Sequence, residues 1–440
     1  MLVHDYITGR TAVKIAAGIE ACLRAGRLKP GALLPPVRRL ARSLGVSPAT
    51  VLAAYRELRL RGLLTGEGRR GSRIAARPAL ALAVEAPIAP GVRDLSDGNP
   101  AAELLPALRP VLSRLGRVPV LYGAPVALPE LLKLARRDFE ADAIPAENIA
   151  VVGGSLDGIE RVVQAQLRSG DRVAVEDPGF PRVFDLLLAL GLRLVAVAVD
   201  DDGPRPQALA QALRSGVQAF IVTPRAQNPT GAALSAERAE ELRQVLRAYP
   251  DCLVIEDDHA GMVCGAPATS LVEPGCARWA VLRSVSKWLG PDLRLALMAG
   301  DATTVARVEG RRLLGTGWVS HLLQRLVVGL WSAQSTLELL QRAARVYAER
   351  RQALLAALAQ HGLTARGRSG LNVWVEVPEE AAVVQALLKA GWAVAAGERF
   401  RLQSRPAVRV TASSLEPAEA SALARHLARC LEQRRRTPQS

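Results

Sequence analysis

The sequence predicts an α/β domain with a mostly parallel central sheet, preceded by a small basic helical module. From residue 94 onward, short apolar runs alternate with segments of helical periodicity, which is typical of a parallel sheet covered by helices. The first 76 residues hold 14 Lys and Arg against 4 Asp and Glu, or +10 of the chain's net charge of +15. With 440 residues, of which 49% are hydrophobic, the chain can fill the cores of two or three domains.

The basic module has the pattern of a winged helix-turn-helix. Residues 12–25 have helical periodicity, and an apolar stripe over residues 37–44 predicts a second short helix. Ser47 and Pro48 suit the N-cap and the first position of a third helix, which would enter a DNA major groove. Residues 63–74, with three glycines and several arginines, predict a two-stranded wing.

The string GRLKPGALLPPVRRLARSLGVSPATVLAAYRELRLRGLL resembles the winged helix of the GntR regulators without a gap. A solvated helix face is the alternative reading of each arginine. The family often has Arg at the position of Pro48, so base reading by that residue is lost here. The resemblance implies that DNA is contacted by Arg38, Ser47, Thr50, Arg69 and Arg70.

The composition of residues 77–93, RPALALAVEAPIAPGVR, predicts a linker rich in Ala and Pro. Its span would be about 25 Å as a flexible coil and about 50 Å as a polyproline-like segment. We therefore predict a DNA-binding domain over 1–76, a linker over 77–93 and a large domain over 94–440.

Cysteine spacing and hydropathy predict a cytoplasmic protein without a metal site. The five cysteines include no C-x-x-C pair, which argues against both a zinc site and a disulfide framework. The N-terminus lacks an apolar signal region, and no apolar run reaches the roughly 18 residues of a membrane span.

The stretch Trp279 to Arg294, WAVLRSVSKWLGPDLR, carries the chemistry of the large domain. An apolar run reads as a buried strand that leads into Ser284, Ser286 and Lys287. An amine between hydroxyls, with a guanidinium nearby, suits a ligand that carries an aldehyde and a phosphate, and pyridoxal 5′-phosphate (PLP) carries both. A solvated loop lysine is the alternative. The S-x-S-K-x6-R spacing resembles the cofactor-lysine motif of the fold type I PLP enzymes, the aspartate aminotransferase superfamily.

Other unusual residues follow other predicted strands, where ligands of open α/β sheets bind. Gly153, Gly154 and Ser155 come after IAVV and open a helix, so their backbone amides could cradle an anion. A simple tight turn is the alternative. The predicted strands are IAVVGG, RVAVEDP, RLVAVAVD, AFIVTP, CLVIEDD and WAVLRS.

The resemblance to the fold type I enzymes implies roles for the residues at these strand ends. Phe180 would stack on the pyridine ring, and Asn228 of the N-P-T-G tetrapeptide would donate to the 3′ oxygen of PLP. Asp257 would pair with the pyridine nitrogen and keep it protonated, with Asp258 as a structural residue. The implied cofactor contacts are Tyr122, Gly154, Ser155, Leu156, Phe180, Asn228, Asp257, His259, Ser284, Ser286, Lys287 and Arg294.

Three of the implied residues have open alternatives. Arg409 and Arg182 would receive substrate or effector carboxylates, although Arg182 could equally be a surface arginine. Tyr122 would reach the phosphate of the neighbouring subunit, with a core tyrosine as the alternative. His259 stands where the family usually has Tyr, and its charge is expected to respond to pH near neutrality unless it is a structural histidine.

Together, a GntR-type winged helix, an Ala/Pro linker and an aminotransferase-like domain resemble the MocR family of PLP-dependent regulators. The strings TPRAQNPTG, IEDDH and RSVSKWLGPDLRLA resemble the PtsJ-type members, which are linked to vitamin B6 metabolism. The resemblance implies a homodimeric regulator of operator DNA that senses PLP as a Lys287 aldimine. An amino acid as second effector stays open.

Two alternatives remain at this point. The chain could be a working PLP-dependent aminotransferase with an attached DNA-binding domain, although Phe180 and His259 favour weakened chemistry. It could also be a regulator that has lost cofactor binding. The sequence does not decide whether the protein is an enzyme.

Overall fold

The computed structural model divides into two compact units. The first consists of the described residues up to 86 together with 168–171 and 182–194, and the second contains the rest. The structure describes residues 7–24, 27–29, 31–60, 63–65, 71–74, 88–115 and 119–436.

The N-terminal region of the first unit has the predicted helix-turn-helix with a wing. The two wing strands pair antiparallel, with Leu64 opposite Ile74. The predicted wing arginines, Arg69 and Arg70, lie outside the described residues. The elements are α1 (Ala12–Arg24), α2 (Val37–Leu44), α3 (Pro48–Leu60), β1 (Leu64–Thr65) and β2 (Arg73–Ile74).

Local hydrogen bonds fix the start of α2 and α3. The Ser47 hydroxyl accepts the Thr50 N–H at 3.1 Å, which confirms the predicted N-cap. The phenol of Tyr55, buried on the inner face of α3, donates to the carbonyl of Pro35 at 2.7 Å, just before α2 begins. The core beneath is apolar and includes Ile15, Ile19, Leu40, Val51, Ala54 and Leu58.

The elements beyond residue 88 form the α/β region. The strands are β3 (Arg93–Asp94), β4 (Ile149–Val152), β5 (Arg172–Asp177), β6 (Arg193–Asp200), β7 (Gly203–Pro204), β8 (Ala219–Val222), β9 (Leu253–Asp258), β10 (Trp279–Ser284), β11 (Ala296–Gly300), β12 (Ala365–Arg366), β13 (Asn372–Glu376), β14 (Trp392–Ala393), β15 (Ala395–Ala396) and β16 (Ala407–Thr411). The helices are α4 (Arg109–Leu112), α5 (Pro129–Ala141), α6 (Ser155–Gln166), α7 (Pro181–Ala189), α8 (Pro206–Arg214), α9 (Ala236–Arg247), α10 (Ala302–Leu313), α11 (His321–Trp331), α12 (Gln334–Gln360), α13 (Glu380–Lys389) and α14 (Pro417–Arg436).

The central sheet is mostly parallel, as predicted. In the described residues it has eight strands in the order β4-β11-β10-β9-β8-β5-β6-β7, and all six predicted strands are among them. Strands β10, β9, β8 and β5 run parallel, whereas β11 is antiparallel to both of its neighbours. The sequence analysis did not predict β11. The chain turns back into it at Arg294, whose backbone is left-handed with φ 42°.

A smaller antiparallel sheet follows, in the order β12-β13-β16-β15, and it contains the predicted short strand with Arg409. The other strands of this sheet were not predicted. Arg93, which the sequence analysis assigned to the linker, pairs with Trp392 across β3 and β14 and bonds Glu419 through its guanidinium. The large unit therefore begins before Asp94.

Strand register brings the two chemical motifs to one edge of the sheet. Asp257 in β9 lies opposite Leu282 in β10, and Asp258 lies opposite Arg283. Because β9 and β10 are parallel, their carboxyl ends meet, and the loop with Lys287 leaves the sheet beside Asp257 and Asp258.

A buried ionic cluster lies under this edge. Both oxygens of Asp258 bond the Arg225 guanidinium, at 3.0 and 2.7 Å, and Arg283 Nε lies 3.2 Å from Asp258 Oδ2. Arg283 also bonds Asp138 of α5, at 2.6 Å, and Asp142, the residue directly after α5. Burial opposes ionisation of Asp258, but Arg225 and Arg283 hold its pKa below the usual value. We call these five residues the Asp258 cluster.

Two absences apply to the described ranges. None of the helices there has the length and apolar character needed to cross a membrane. No group of His, Cys, Asp and Glu side chains in the same ranges is arranged to hold a metal ion.

The Asp258 cluster predicts a large stability effect. Asp258→Asn removes the charge that compensates two buried guanidinium groups, and we expect a loss of about 3–5 kcal/mol in unfolding free energy. The measurement is urea unfolding followed by tryptophan fluorescence, because all six tryptophans lie beyond residue 278 and report on the large unit. The matched control is Asp202→Asn, which breaks an exposed pair with Arg368 and should cost less than about 1 kcal/mol. Equal losses in the two variants would contradict the role of burial.

A second stability prediction concerns Gly158 in α6. A Cβ at this position would lie 2.0 Å from Leu282 Cδ2 and 3.1 Å from Val152 Cγ2, so Gly158→Ala should destabilise the unit by about 1–3 kcal/mol. Gly310 in α10 is exposed and its Cβ would meet nothing within 4 Å. Gly310→Ala should therefore stabilise by about 0.5–1 kcal/mol, through helix propensity. Thermal unfolding of both variants measures the difference, and a shift of the same sign in both would contradict it.

Candidate functional site

Lys287 lies three residues after β10, at the carboxyl edge of the sheet. Its Nζ donates to the carbonyl of Gly98 at 2.5 Å. Burial and, to a smaller extent, the positive charge of Arg409 lower the pKa of the Lys287 amine, Asp97 partly offsets them, and together they bring it to about 8. The amine is therefore much more often neutral at physiological pH than that of an ordinary lysine.

The two serines before Lys287 shape the turn in which it sits. The Ser286 N–H donates to Ser284 Oγ at 3.2 Å, and the two hydroxyl oxygens lie 2.9 Å apart. The indole of Trp288 donates to the carbonyl of Ser284 at 2.7 Å, and this hydrogen bond closes the turn. The predicted pair of hydroxyls is therefore held within this turn, directly before Lys287.

Asp257 and Asp258 differ in what they contact. Asp258 belongs to the ionic cluster, whereas Asp257 Oδ1 is buried without a well-aligned hydrogen-bond partner in the described protein. Burial raises the pKa of Asp257 to about 6, the charge of Asp258 adds to this effect, and the Ser155 hydroxyl partly offsets it. Of the two carboxylates, Asp257 is the one that can accept a new donor.

The start of α6 combines glycine geometry with a guanidinium. Gly154 has φ 104°, and a Cβ on it would lie 3.3 Å from Arg294 Nη2, so the predicted partners Gly154 and Arg294 are in proximity. Ser155, the first residue of α6, has a buried hydroxyl oxygen without a well-aligned partner among the described residues, and Leu156 follows it. Exposed amides at a helix start beside a guanidinium form an anion-binding arrangement.

Asp157 fixes the same turn from within α6. One of its oxygens accepts the Gly153 N–H at 2.8 Å, and both oxygens lie 2.9 Å from Arg161 Nε. The carboxylate thus holds the chain entering the helix, while Arg161 neutralises its charge. The sequence analysis did not single out either residue.

His259 differs from the expectation that its charge would respond to pH near neutrality. Burial and, to a smaller extent, the positive charge of Lys287 lower the pKa of its imidazole to about 4, against a smaller opposing effect of Asp258. The histidine is therefore neutral across the physiological range. Its ring can donate one hydrogen bond and accept another without adding charge to the site.

The loop with Asn228 is held by a residue that sequence reasoning missed. Gln227 is fully buried, and its oxygen accepts from both the N–H and the hydroxyl of Thr230, at 3.0 and 2.6 Å. Its amide nitrogen donates to the carbonyl of Pro178 at 2.8 Å and to Glu176 at 3.3 Å. A fully buried glutamine with these partners locks the N-P-T-G turn onto the end of β5.

Arg409 connects the small sheet to the site. Its Nη1 donates to Asn228 Oδ1 at 3.1 Å, its Nη2 donates to the carbonyl of Ser96, and its guanidinium lies 4.8 Å from the ring centre of Phe400. Gly98 has φ 71°, and a Cβ on it would lie 3.4 Å from the guanidinium nitrogens. Lys287 and Arg409 therefore both contact one segment before β4, Lys287 at Gly98 and Arg409 at Ser96.

Three predicted residues are not linked to these contacts in the structure of one chain. Phe180 is half-buried after Gly179, whose N–H donates to the carbonyl of Phe400 at 2.7 Å. Arg182 lies in α7 and belongs to the first compact unit. Tyr122 is 92% exposed, which contradicts the core-tyrosine alternative, and its ring packs edge-on to Trp318 at 5.6 Å.

The other missed residues have weak sequence signals. Arg225 stands in TPRAQNPTG next to the recognised tetrapeptide, and Glu176 stands in RVAVEDP at the end of β5. Burial raises the pKa of Glu176 to about 8, against hydrogen bonds from Thr223 and Gln227 that lower it. A charged residue within or directly after an apolar strand is the signal that could have marked both.

Family models match both parts of the chain. Residues 94–427 match "Aminotransferase class I and II", and residues 11–74 match "Bacterial regulatory proteins, gntR family". The first match spans more than half of the chain and the second covers the winged helix, so the two regions correspond to the two patterns seen in the sequence.

Two similar bacterial regulators have been described. The vitamin B6 salvage pathway transcriptional repressor PtsJ of Salmonella typhimurium is 41% identical over 423 residues, which cover 95% of this chain and 98% of that protein. The pyridoxine biosynthesis transcriptional regulator PdxR of Corynebacterium glutamicum is 28% identical over 351 residues, which cover 76% of this chain and 75% of that protein.

Solved structures share the fold of the large unit. The α-aminoadipate aminotransferase LysN of Thermus thermophilus, complexed with N-(5′-phosphopyridoxyl)-L-leucine, has a TM-score of 0.69 at 25% identity and covers 78% of this chain and 93% of its own. The kynurenine aminotransferase of Pyrococcus horikoshii has a TM-score of 0.72 at 20% identity, covers 79% of this chain and 92% of its own, and supports the fold alone. The chain therefore belongs to the MocR family of transcriptional regulators, which join a GntR-type winged helix to an aminotransferase class I and II domain.

Proposed function

We propose that this protein binds operator DNA as a homodimer, takes up PLP at the Lys287 site as its sensed ligand, and controls genes of vitamin B6 metabolism. Its predicted place is the cytoplasm, with the chromosome it regulates. The proposed DNA-binding domain spans residues 1–76, and a linker from residue 77 leads to the proposed sensor domain, which begins at or before Arg93 and continues to residue 440. The similarity to PtsJ over nearly the full length of both chains supports the vitamin B6 link.

The observation that carries the PLP proposal is the state of Asp257. A buried carboxylate oxygen with no well-aligned partner in the described protein is costly unless a ligand supplies a donor. Ser155 Oγ is in the same condition at the start of α6. A protonated pyridine nitrogen would satisfy Asp257, and a phosphate would take up the Ser155 hydroxyl, so the residues present fit PLP.

Each remaining residue has a task that follows from its contacts. The Gly154 turn, Leu156, Ser284, Ser286 and Arg294 would hold the phosphate, with backbone amides, hydroxyls and one guanidinium. Asn228 and neutral His259 would hold the ring oxygen, and Phe180 would cover the ring face. PLP supplies an aldehyde carbon that condenses with amines and a ring that withdraws electrons. Lys287 brings to that carbon an amine whose lowered pKa keeps part of it unprotonated.

We propose a dimer because the side chain of Tyr122 is almost fully exposed in its own subunit. Tyr122 is 92% exposed and leans on Trp318, with the exposed Leu121 and Leu314 also on the surface. An aromatic side chain of this kind suits an interface between subunits. There it would reach the phosphate of the neighbouring copy, as the family resemblance implies. The two winged helices of the dimer would then bind two operator half-sites.

A second candidate function is a working aminotransferase. The observation in its favour is the guanidinium of Arg409, which acts on the pKa of Lys287 and contacts Asn228. An arginine at this place could fork onto the carboxylate of an amino acid, which would be either a substrate or an effector. Arg182 is a second candidate for this task. Steady turnover of an amino acid with a keto acid, lost in Lys287→Ala, would favour the enzyme.

The PLP proposal predicts selective and pH-dependent labelling. The chain has five lysines, and incubation with PLP followed by borohydride reduction and peptide mapping should mark Lys287. At pH 7 its neutral fraction exceeds that of an ordinary lysine on the order of 300-fold, given its pKa of about 8. Since the neutral amine reacts, labelling should rise from pH 6 to about pH 9 and then level off.

The exposed Lys133 and Lys389 are the internal controls for this labelling. Their labelling at pH 7 should be far weaker than that of Lys287, because they lie outside the candidate site. Equal labelling of all three lysines at pH 7 would contradict a cofactor site at Lys287.

The regulatory proposal predicts that PLP changes DNA affinity through Lys287. Fluorescence anisotropy of the full-length protein on the duplex upstream of its own gene should give dissociation constants that differ about five- to 150-fold with and without PLP. Lys287→Ala should lose this response, because the covalent attachment point is gone. Lys133→Ala, on an exposed helix position, should keep it. DNA binding that ignores PLP in the unaltered protein would contradict the sensor function.

A further inference from the structure

The exposed face of α3, the helix that the GntR match assigns to the DNA-binding region, has an unusual composition. Positions 51, 54, 55 and 58 are buried in the core of the winged helix. The opposite stripe is exposed and consists of Pro48, Ala49, Leu52, Ala53 and Arg56. These positions follow helical spacing, so they form one continuous surface that begins at the N-terminus of the helix.

Four of these five residues are apolar. Leu52 is 52% exposed, and Arg56 is the one member of the stripe whose side chain can donate a hydrogen bond. Proline and alanine bring no polar side-chain group to the first turn. The first two turns of α3 therefore present methyl and methylene groups along this stripe.

The hydroxyls at the start of α3 are engaged with each other. Ser47 Oγ lies 2.8 Å from Thr50 Oγ1 and also accepts the Thr50 N–H at 3.1 Å. Both side chains are thereby oriented by the N-cap of the helix. Neither adds a free amide or guanidinium of the kind that reads purines in the major groove.

Exposed positive charges on the same module match the negative charge of the DNA backbone. Arg38, Arg39 and Arg42 are exposed on α2, and Arg56 is exposed at the far end of the apolar stripe. A module that combines an apolar helix face with exposed guanidinium groups suits a polyanion whose interior edge is itself partly apolar. The major groove of DNA meets this description where thymine exposes its C5-methyl group between two rows of phosphates.

We propose that Ala49, Leu52 and Ala53 read thymine methyl groups, so that each operator half-site carries thymines where α3 enters the major groove. This inference rests on the proposed operator binding. A guanine at these positions would leave its O6 and N7 acceptors facing apolar side chains, without the hydrogen bonds that they lose from water. The arginines of α2 position the helix through phosphates and carry no base sequence.

The test replaces thymine by uracil, which removes the methyl group and leaves base pairing intact. Full-length protein first enriches duplexes from a random-sequence library, and footprinting then locates the protected thymines. Uracil at a contacted thymine should weaken binding about fourfold, which corresponds to about 0.8 kcal/mol for one buried methyl group. Uracil at thymines outside the footprint is the control and should change nothing.

Two variants assign the effect to α3. In Leu52→Ala, binding to the thymine duplex should weaken, and the difference between thymine and uracil duplexes should shrink. In Arg42→Ala, both duplexes should be bound more weakly by the same factor, with a smaller dependence on salt. Both positions are exposed, and circular dichroism checks that the variants fold.

The outcomes separate this inference from the proposed function. Specific binding that is indifferent to uracil at every protected position would overturn thymine reading while operator binding stands. Failure to enrich or bind any duplex would overturn both. If Leu52→Ala changes the oligomeric state and leaves DNA affinity unaltered, the apolar face belongs to a contact between copies of the chain, and the inference is wrong.

Discussion

One buried carboxylate, Asp258, holds together the elements on which the site is built. It joins Arg225 from the loop after β8 to Arg283 of β10. Arg283 in turn bonds Asp138 of α5 and Asp142, the residue directly after α5. Loss of such a charge is costly because its partners would stay buried without compensation. The neighbouring residue in β9, Asp257, is thereby left for the site. Because successive side chains of a strand point to opposite faces, Asp258 stabilises the framework while Asp257 can contact a ligand.

In the site above this cluster, burial opposes the ionisation of three groups. Burial raises the pKa of Asp257 to about 6, lowers the pKa of His259 to about 4 and lowers the pKa of Lys287 to about 8. Desolvation thus favours the uncharged form of all three groups. A ligand that brings both a cationic ring and an anionic phosphate would restore compensating charges at Asp257 and at the Gly154 turn. Binding and ionisation of these residues are therefore coupled.

Local patterns in the sequence predicted the helix-turn-helix and the six strands of the central sheet, because periodicity and caps are properties of neighbouring residues. The N-cap role of Ser47 is an example. Contacts between distant segments could not be predicted from the sequence. Gln227 bonds Pro178, Lys287 bonds Gly98, and β11 lies antiparallel between two parallel strands. The lowered pKa of His259 could not be predicted from the sequence either, because it arises from burial in the folded chain.

The exposure of Tyr122 has a consequence for how such a protein can be dissected. If this ring completes the phosphate site of a second copy, the unit of function is the assembled pair. Two defective chains, one without the tyrosine and one without the reactive amine, would then restore one intact site by complementation when mixed. A defect caused by losing Tyr122 would in that case be recessive within a hybrid oligomer, even though each chain alone is inactive.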